Sequence, residues 1–363
     1  MSIADKIRAI EEELRRTQVH KGTEHHIGLL KAKLAKYRRE LAATGVKRGG
    51  KSFAVRKGGD STVAIIGFPS VGKSTLLNAL TNARSEVAPY AFTTTSVVPG
   101  MMLYRGARIQ LLDLPGIFEA ASKGAGRGKE VISVARSADL ILILLDALQP
   151  DALFAIRREL EAMGIRLDRE PPKIIVSPKE RGGIVITSTV KLTKLNERMI
   201  KDILAVFDLH NCEVVFREDA GADELIDVLA GNRVYIPSLV VVNKTDLIDE
   251  RALSELRSRL SCDFIPISAE KGIGLDALRA AIYNHLRLIR VYMKPKWGEA
   301  DLKEPMILRE GSTIADVCER IHRGLRASFR HALVWGPSAR FPGQKVGLDH
   351  VLKDEDIVTI VSR

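Results

Sequence analysis

The run Gly67-Phe68-Pro69-Ser70-Val71-Gly72-Lys73-Ser74 sets two glycines, a lysine and a hydroxyl at the spacing of a phosphate-binding loop. Such a loop needs a strand before it and a helix after it. The chain offers an apolar strand-like stretch from Thr62 to Ile66 and a helix-like one from Thr75 to Leu80. Glycines let backbone N–H groups turn inward on phosphate oxygens, and the helix start adds the positive end of its dipole. Lys73 is then expected to reach the β- and γ-phosphates and Ser74 to ligate Mg²⁺. Phe68, Pro69, Ser70, Val71, Gly72 and Thr75 complete the expected phosphate contacts.

Three further segments narrow the nucleotide to a guanine nucleotide. Asp113-Leu114-Pro115-Gly116 follows the apolar run Ile109 to Leu112; its Asp113 is placed to hold Mg²⁺ through water and the Gly116 N–H to sense a γ-phosphate. Asn243-Lys244-Thr245-Asp246 follows Leu239 to Val242. The Asp246 carboxylate offers two acceptor oxygens that match the N1–H and exocyclic amine of guanine, whereas adenine presents the wrong donors. Ser268-Ala269-Glu270 ends the stretch Asp263 to Ile267 and supports the base from its other side. Alone, Asn-Lys-x-Asp is a common polar turn. The order of all four segments, each at the carboxyl end of an expected strand, is the arrangement in which an open α/β sheet binds ligands.

The positioning elements can be traced along the chain. Residues 2–44 read as two helices: Ile3, Ile7, Ile10 and Leu14 recur at helical steps, as do Ile27, Leu30, Leu34 and Leu41, with a break at Gly22-Thr23. Lys47-Arg48-Gly49-Gly50-Lys51 reads as a basic linker. Between Asp113 and Asn243 the chain is much longer than a compact Ras-type domain needs. Ala138 to Ala147 and Asp151 to Met163 are an ordinary strand and helix. After Pro171-Pro172 come a strand (Ile184 to Val190), an amphipathic helix (Leu195 to Phe207) and another strand (Cys212 to Arg217), which argue for an inserted α/β subdomain rather than a loop. Beyond Tyr292, Met306 to Leu308, a helix from Thr313 to His322 capped by Ser312 or Thr313, Ala332 to Trp335 and Asp356 to Val361 suggest a β-grasp module. The expected division is a helical region and linker at 1–59, a P-loop domain at 60–165 and 236–290, an insert at 166–235 and a β-grasp domain at 291–363.

Composition limits the classes. The 363 residues, 45% of them apolar, can bury several cores. The start from Met1 to Glu13 has four acids and no apolar block, so neither a secretory signal nor a membrane span is expected. Cys212, Cys262 and Cys318 are widely spaced and odd in number, which fits buried thiols in the cytoplasm. The formal charge of +11 is uneven: residues 1–60 hold 15 Lys+Arg against 7 Asp+Glu. A basic arm of this kind attracts a polyanion, and RNA is the expected one. The other reading is a solvated helical face that binds nothing.

The order of these parts resembles the developmentally regulated GTP-binding proteins, a branch of the Obg-related GTPases of archaea and eukaryotes. The resemblance rests on Gly67 to Ser74, Tyr90-Ala91-Phe92-Thr93-Thr94-Thr95, Asp113 to Gly116 and Gly231-Asn232-Arg233-Val234-Tyr235-Ile236-Pro237 leading into Asn243 to Asp246. Ser52 to Val55 and the C-terminal segment, similar to a TGS domain, extend it over nearly the whole chain. It implies an α/β P-loop GTPase domain with an insert resembling the second domain of a small-subunit ribosomal protein, a helical N-terminus and a TGS domain. It also implies GTP hydrolysed to GDP, association with ribosomes or RNA in translation, and no DNA. Thr93 or Thr94 would close over the nucleotide, with Thr94 favoured as the Mg²⁺ ligand, and Ile117 to Lys129 would be the second switch. Lys73, Thr94 and Gly116 are thus the expected catalytic groups.

One departure bears on rate. Ras-type GTPases have a water-orienting Gln after the Gly of Asp-x-x-Gly; here Ile117 stands there and can neither donate to nor accept from water. Hydrolysis must then use another group, a regulatory protein partner or a bound cation, or else be slow, and a low intrinsic rate is expected. Arg127 is either an internal arginine finger or a solvated, RNA-facing charge. K⁺ is a candidate, although related K⁺-using GTPases often carry Asn where this chain has Ser70. The alternative to a ribosome- or RNA-directed switch is a GTP-dependent protein scaffold in which hydrolysis is incidental. A P-loop kinase is disfavoured by Asn243 and Asp246.

Overall fold

The computed structural model describes residues 2–44, 58–81, 98–114 and 126–362. These fall into two compact units, one within Met1–Ser52 and Glu161–Tyr235, the other within Phe53–Leu160 and Ile236–Arg363. Among the described residues no helix is long and apolar enough to cross a membrane.

The second unit is built on a six-stranded sheet. Its spatial order is Ile265–Pro266, Ser238–Asn243, Leu140–Asp146, Ser61–Ile66, Ala107–Asp113 and Val98–Tyr104. All neighbours are parallel except the last pair, an antiparallel hairpin. The central strands are continuous apolar runs because both faces of a parallel sheet are covered. In register, Ile65 faces Asp113 and Asp146 faces Asn243, so the polar strand ends share one edge. The hairpin turns at Arg105 and Gly106, both with positive φ (48° and 81°), and a Cβ on Gly106 would lie 2.5 Å from Pro305. The strand expected over Asp263 to Ile267 is reduced to Ile265–Pro266, paired only with Val241 and Val242. Ile267 still donates its N–H to the Val242 carbonyl at 2.8 Å, so Pro266 takes a position of this edge strand whose N–H would face away from the sheet, and Phe264 is buried.

A five-stranded sheet follows, in the order Met306–Arg309, Leu288–Met293, Asp356–Ser362, Phe329–Trp335, Gln344–Val346. The helix Ile314–Ile321 packs on it through Ile314, Val317 and Cys318, the arrangement expected of a β-grasp module. Thr313, not Ser312, is its N-cap and forms a capping box with Asp316. Leu288–Met293, not anticipated as a strand, belongs to this sheet. Arg290 within it grips Asp354 with two bonds, and that hydrogen-bonded carboxylate holds the guanidinium pKa above its ordinary value. Two ion pairs fasten the module to the amino ends of the first sheet. Arg309 meets Asp139, whose carboxylate also accepts the Thr62 N–H, and Arg320 lies 2.7 Å from Asp60, whose carboxylate also accepts the Arg108 N–H.

The first unit joins the N-terminal helices to the insert. Ile3–Arg16 and Glu24–Thr44 form the expected hairpin. The insert is a three-stranded sheet, ordered Ile174–Pro178, Cys212–Phe216, Ile184–Ser188, with helices Glu197–Val206 and Ala222–Ala230. Ala32 and Ala35 of the second N-terminal helix are buried in the same core as Ile200, Ile203, Leu204 and Phe216. Residues 2–44 therefore pack within the same compact unit as the insert. Two lysines of that helix answer insert carboxylates: Lys31 to Asp223 at 2.8 Å and Lys36 to Asp208 at 2.6 Å. Part of the N-terminal positive charge is thus used within the unit rather than offered to a polyanion. Cys212 and Cys318 are buried and Cys262 half-buried; all are free thiols.

One carboxylate in this unit carries two guanidinium groups. Arg166 is bidentate on Asp227 at 2.6 and 2.7 Å, and Arg233 adds a bond at 2.9 Å. Burial opposes the Arg166 charge, but the bonds to Asp227 outweigh it and the pKa moves up. Removing the carboxylate strands two nearly buried cations. Asp227→Ala is expected to destabilise this unit by about 3–5 kcal/mol, read as a fall in denaturant midpoint. A change below about 1 kcal/mol would mean the cations find water instead.

A candidate guanine-nucleotide site

The phosphate-loop residues lie where the strand Ser61–Ile66 passes into the helix Lys73–Leu80. The turn needs left-handed backbone at Ser70 (φ 64°) and Gly72 (φ 94°). A Cβ on Gly72 would lie 2.4 Å from the Asn243 amide nitrogen, and one on Gly67 2.5 Å from the Leu144 carbonyl, so both positions require glycine. The helix has no side-chain cap, which leaves its first N–H groups for an anion. Phe68 is half-buried against the core, Val71 is buried, and Pro69, Ser70, Ser74 and Thr75 are exposed along the loop and first turn.

Lys73 turns its ammonium back on the loop, donating to the carbonyls of Gly67 at 3.0 Å and Phe68 at 2.9 Å. Burial lowers its pKa, and the Asp113 charge opposes that only in part. A cation held by carbonyls in a half-buried loop is poised for an anionic partner. The Ser74 hydroxyl donates to Asp113 Oδ2 at 2.8 Å. Asp113 is buried, and among the described residues its other oxygen, Oδ1, accepts no hydrogen bond. A hydroxyl and a carboxylate with a spare buried oxygen form a hard-oxygen donor set that suits Mg²⁺.

The base-side segments are tied to this loop through one buried amide. Asn243, 3% exposed, donates from Nδ2 to the Val71 carbonyl at 2.9 Å and accepts the Ala269 N–H at 2.9 Å. It therefore links the phosphate loop, its own strand end and the Ser268–Glu270 segment. Lys244 donates to the Ser70 carbonyl at 2.9 Å and to Asp146 Oδ2 at 2.6 Å. Asp246 is held well below the usual carboxylate range, first by a hydrogen bond from Ser268 and then by Lys271, whose ammonium is 3.1 Å away. Glu270 is exposed.

The structure thus brings together Gly67 to Thr75, Asp113, Asn243, Lys244, Asp246, Ser268 and Ala269. Thr93, Thr94, Gly116, Ile117, the first switch segment and residues 117–125 of the second lie outside the described residues; the end of the second, 126–129, opens the helix Gly126–Ser137. Sequence reasoning missed Asp146 and Lys271. Asp146 had a signal available, a lone carboxylate ending the run Leu140 to Leu145 as Asp113 ends its own strand. Lys271 had none beyond its adjacency to Glu270.

Comparison with known proteins gives the same picture of the whole chain. Residues 62–179 match the family model described as a 50S ribosome-binding GTPase, residues 181–288 that for the C-terminal region of the same domain, and residues 289–362 the TGS domain. A GTP-binding protein of Methanocaldococcus jannaschii is 54% identical over 99% of this chain and 93% of its own. The human developmentally-regulated GTP-binding protein 2 is 46% identical over 100% of both chains. Among solved structures, the YchF GTPase of Schizosaccharomyces pombe superposes with a TM-score of 0.48 at 15% identity, covering 84% of this chain and 99% of that one. With full-length identity of this order and the matched GTPase and TGS segments, the chain belongs to the developmentally regulated GTP-binding proteins.

Proposed function

We propose that this GTPase is a nucleotide-dependent switch that acts on ribosomes or RNA in the cytoplasm. The observation that carries the nucleotide part is the Asn243 bridge, which fixes the phosphate loop, the base-reading strand end and the Ser268–Glu270 segment to one another. Lys73 and the loop N–H groups take the β- and γ-phosphates, Asp246 reads the guanine edge, and Ser268 and Ala269 hold that carboxylate and the base from the other side. Ser74 and Asp113 would hold Mg²⁺, joined by Thr94 when a γ-phosphate is present, and the ion would neutralise phosphate charge. Thr93 and the Gly116 N–H would report the γ-phosphate. In this reading the GTPase core spans 60–165 and 236–290, with the insert (166–235) and the TGS module (291–363) as binding modules. The ribosomal direction is supported by the description of the family model matched at 62–179 and by the net charge of +11.

Intrinsic hydrolysis should be slow, because Ile117 cannot orient water. Purified chain is expected to turn over GTP at or below the order of 10⁻³ s⁻¹, the scale of unassisted Ras. Turnover about once per second without a partner would overturn this. Measuring the same rate in KCl and in NaCl at matched ionic strength tests whether a cation stands in for the missing Gln. Faster turnover in KCl assigns that role to K⁺, and equal rates leave it to a protein or ribosomal partner.

A further inference from the structure

Asp146 ends the strand Leu140–Asp146 and faces Asn243 in register. Its side chain is 13% exposed, and both oxygens are engaged. Oδ1 accepts the Leu148 N–H at 2.9 Å and Oδ2 accepts the Lys244 ammonium at 2.6 Å. The turn beyond it is closed by the Gln149 N–H on the Asp146 carbonyl at 2.9 Å and the Ala147 N–H on the Asn243 carbonyl at 3.0 Å. The carboxylate therefore has one direction available to it.

Lys244 is constrained at its other end as well. Its backbone is left-handed (φ 63°), which fixes where the stem leaves the chain. Its ammonium also donates to the carbonyl of Ser70, itself left-handed. A lysine stem has four rotatable carbons and loses that freedom only when both ends are held. Here it is stretched from the Asn243–Asp246 segment to the phosphate loop and pinned there between two acceptors.

We propose that Asp146 is a positioning residue for guanine-nucleotide affinity. Both its oxygens are engaged by the chain itself, so it acts through Lys244. By holding the Lys244 ammonium against the Ser70 carbonyl, it keeps the base-reading segment and the phosphate loop in one preformed cradle, so binding does not have to order them. The inference rests on the reading of Asn243 to Asp246 as the guanine site. A carboxylate is required because the bond is charge-assisted; an asparagine keeps the volume and an acceptor for the Leu148 N–H but loses the charge.

Asp146→Asn is therefore expected to weaken GDP and GTP alike, by about ten-fold, seen mainly as faster release. KM should rise by the same factor, while single-turnover hydrolysis of bound GTP keeps its rate. Asp146→Glu should recover most of the loss, and it serves in place of the amide variant if that fails to fold. In a Lys244→Met background Asp146→Asn should add nothing, because the effect passes through Lys244. A purely structural role would weaken binding in both backgrounds and lower the melting temperature with it. Equal losses in both backgrounds, or unchanged GDP and GTP affinity in folded Asp146→Asn, overturn the proposal. Asp246→Asn, assayed alongside with xanthine nucleotides, separates the two levels. If it moves preference to XTP, the guanine-site reading stands whatever Asp146 does; if it does not, that reading fails by itself.

Discussion

Lys73→Ala is expected to abolish tight nucleotide binding without unfolding the domain. Among the described residues the Lys73 ammonium donates to the carbonyls of Gly67 and Phe68, and burial pulls its pKa down against the opposing Asp113 charge. The loop therefore carries a half-buried cation that a phosphate would stabilise and that carbonyl partners alone do not neutralise. Removing it should cost at least two decades in GDP and GTP affinity, the loss expected for charge-assisted phosphate bonds. Stability without nucleotide should hold or rise. The sign of the pH dependence follows from the same geometry. The folded loop binds the Lys73 proton less tightly than the unfolded chain does, so this group adds stability as pH rises from its depressed pKa toward the unfolded value near about 10.4. The Lys73→Ala protein should lack that gain in paired denaturation curves. Ser74→Ala should also lose nucleotide binding, but with the opposite effect on the fold. The buried Asp113 would lose its Ser74 bond while Oδ1 has no partner among the described residues, a cost of about 1–3 kcal/mol. If both variants moved stability in the same direction, the assignment of Lys73 as a phosphate-seeking cation would be wrong.

Asp246→Asn should invert base preference. The carboxylate offers two acceptors to the two donors of guanine, and asparagine replaces one acceptor with a donor. Xanthine carries a carbonyl where guanine carries its exocyclic amine, so XTP becomes the matched ligand. A site built on such bonds rejects the mismatched partner strongly, and the GTP-to-XTP preference should shift on the order of 10³-fold or more. Competition between the two nucleotides measures it, and an unchanged preference for GTP rejects the assignment. Because Ser268 and Lys271 hold the Asp246 carboxyl below its ordinary pKa, the wild-type preference should persist unchanged from neutral pH down to about pH 5.

Legibility in the sequence tracked how local the cause of each feature is. The phosphate loop, Asp113, Asn243 and Asp246 could be read because strand, turn and helix signals sit beside the polar groups they position. The packing of the N-terminal helices on the insert could not. It rests on Ala32 and Ala35, small residues that leave no apolar stripe, and on ion pairs to Asp208 and Asp223 far along the chain. The basic arm consequently looked freer than it is, and a deletion of residues 1–50 would remove part of a core as well as charge. Ile174–Pro178 and Leu288–Met293 went unread as strands because each sits in a larger sheet whose partners are remote in sequence. The helix Ala222–Ala230 was hidden by its acids, of which Asp227 is buried only because Arg166 and Arg233 reach it. Asp146 was missed for a related reason: its partner, Lys244, becomes its neighbour only when two parallel strands align.

The central claim, a nucleotide-gated ligand of the ribosome, is tested most directly by sedimenting the purified full chain with ribosomes. It should be loaded with GDP or with a non-hydrolysable GTP analogue, at two salt concentrations. The account predicts co-sedimentation with the analogue, little with GDP, and a decrease at the higher salt. Co-sedimentation independent of nucleotide, or none in either state, would contradict it.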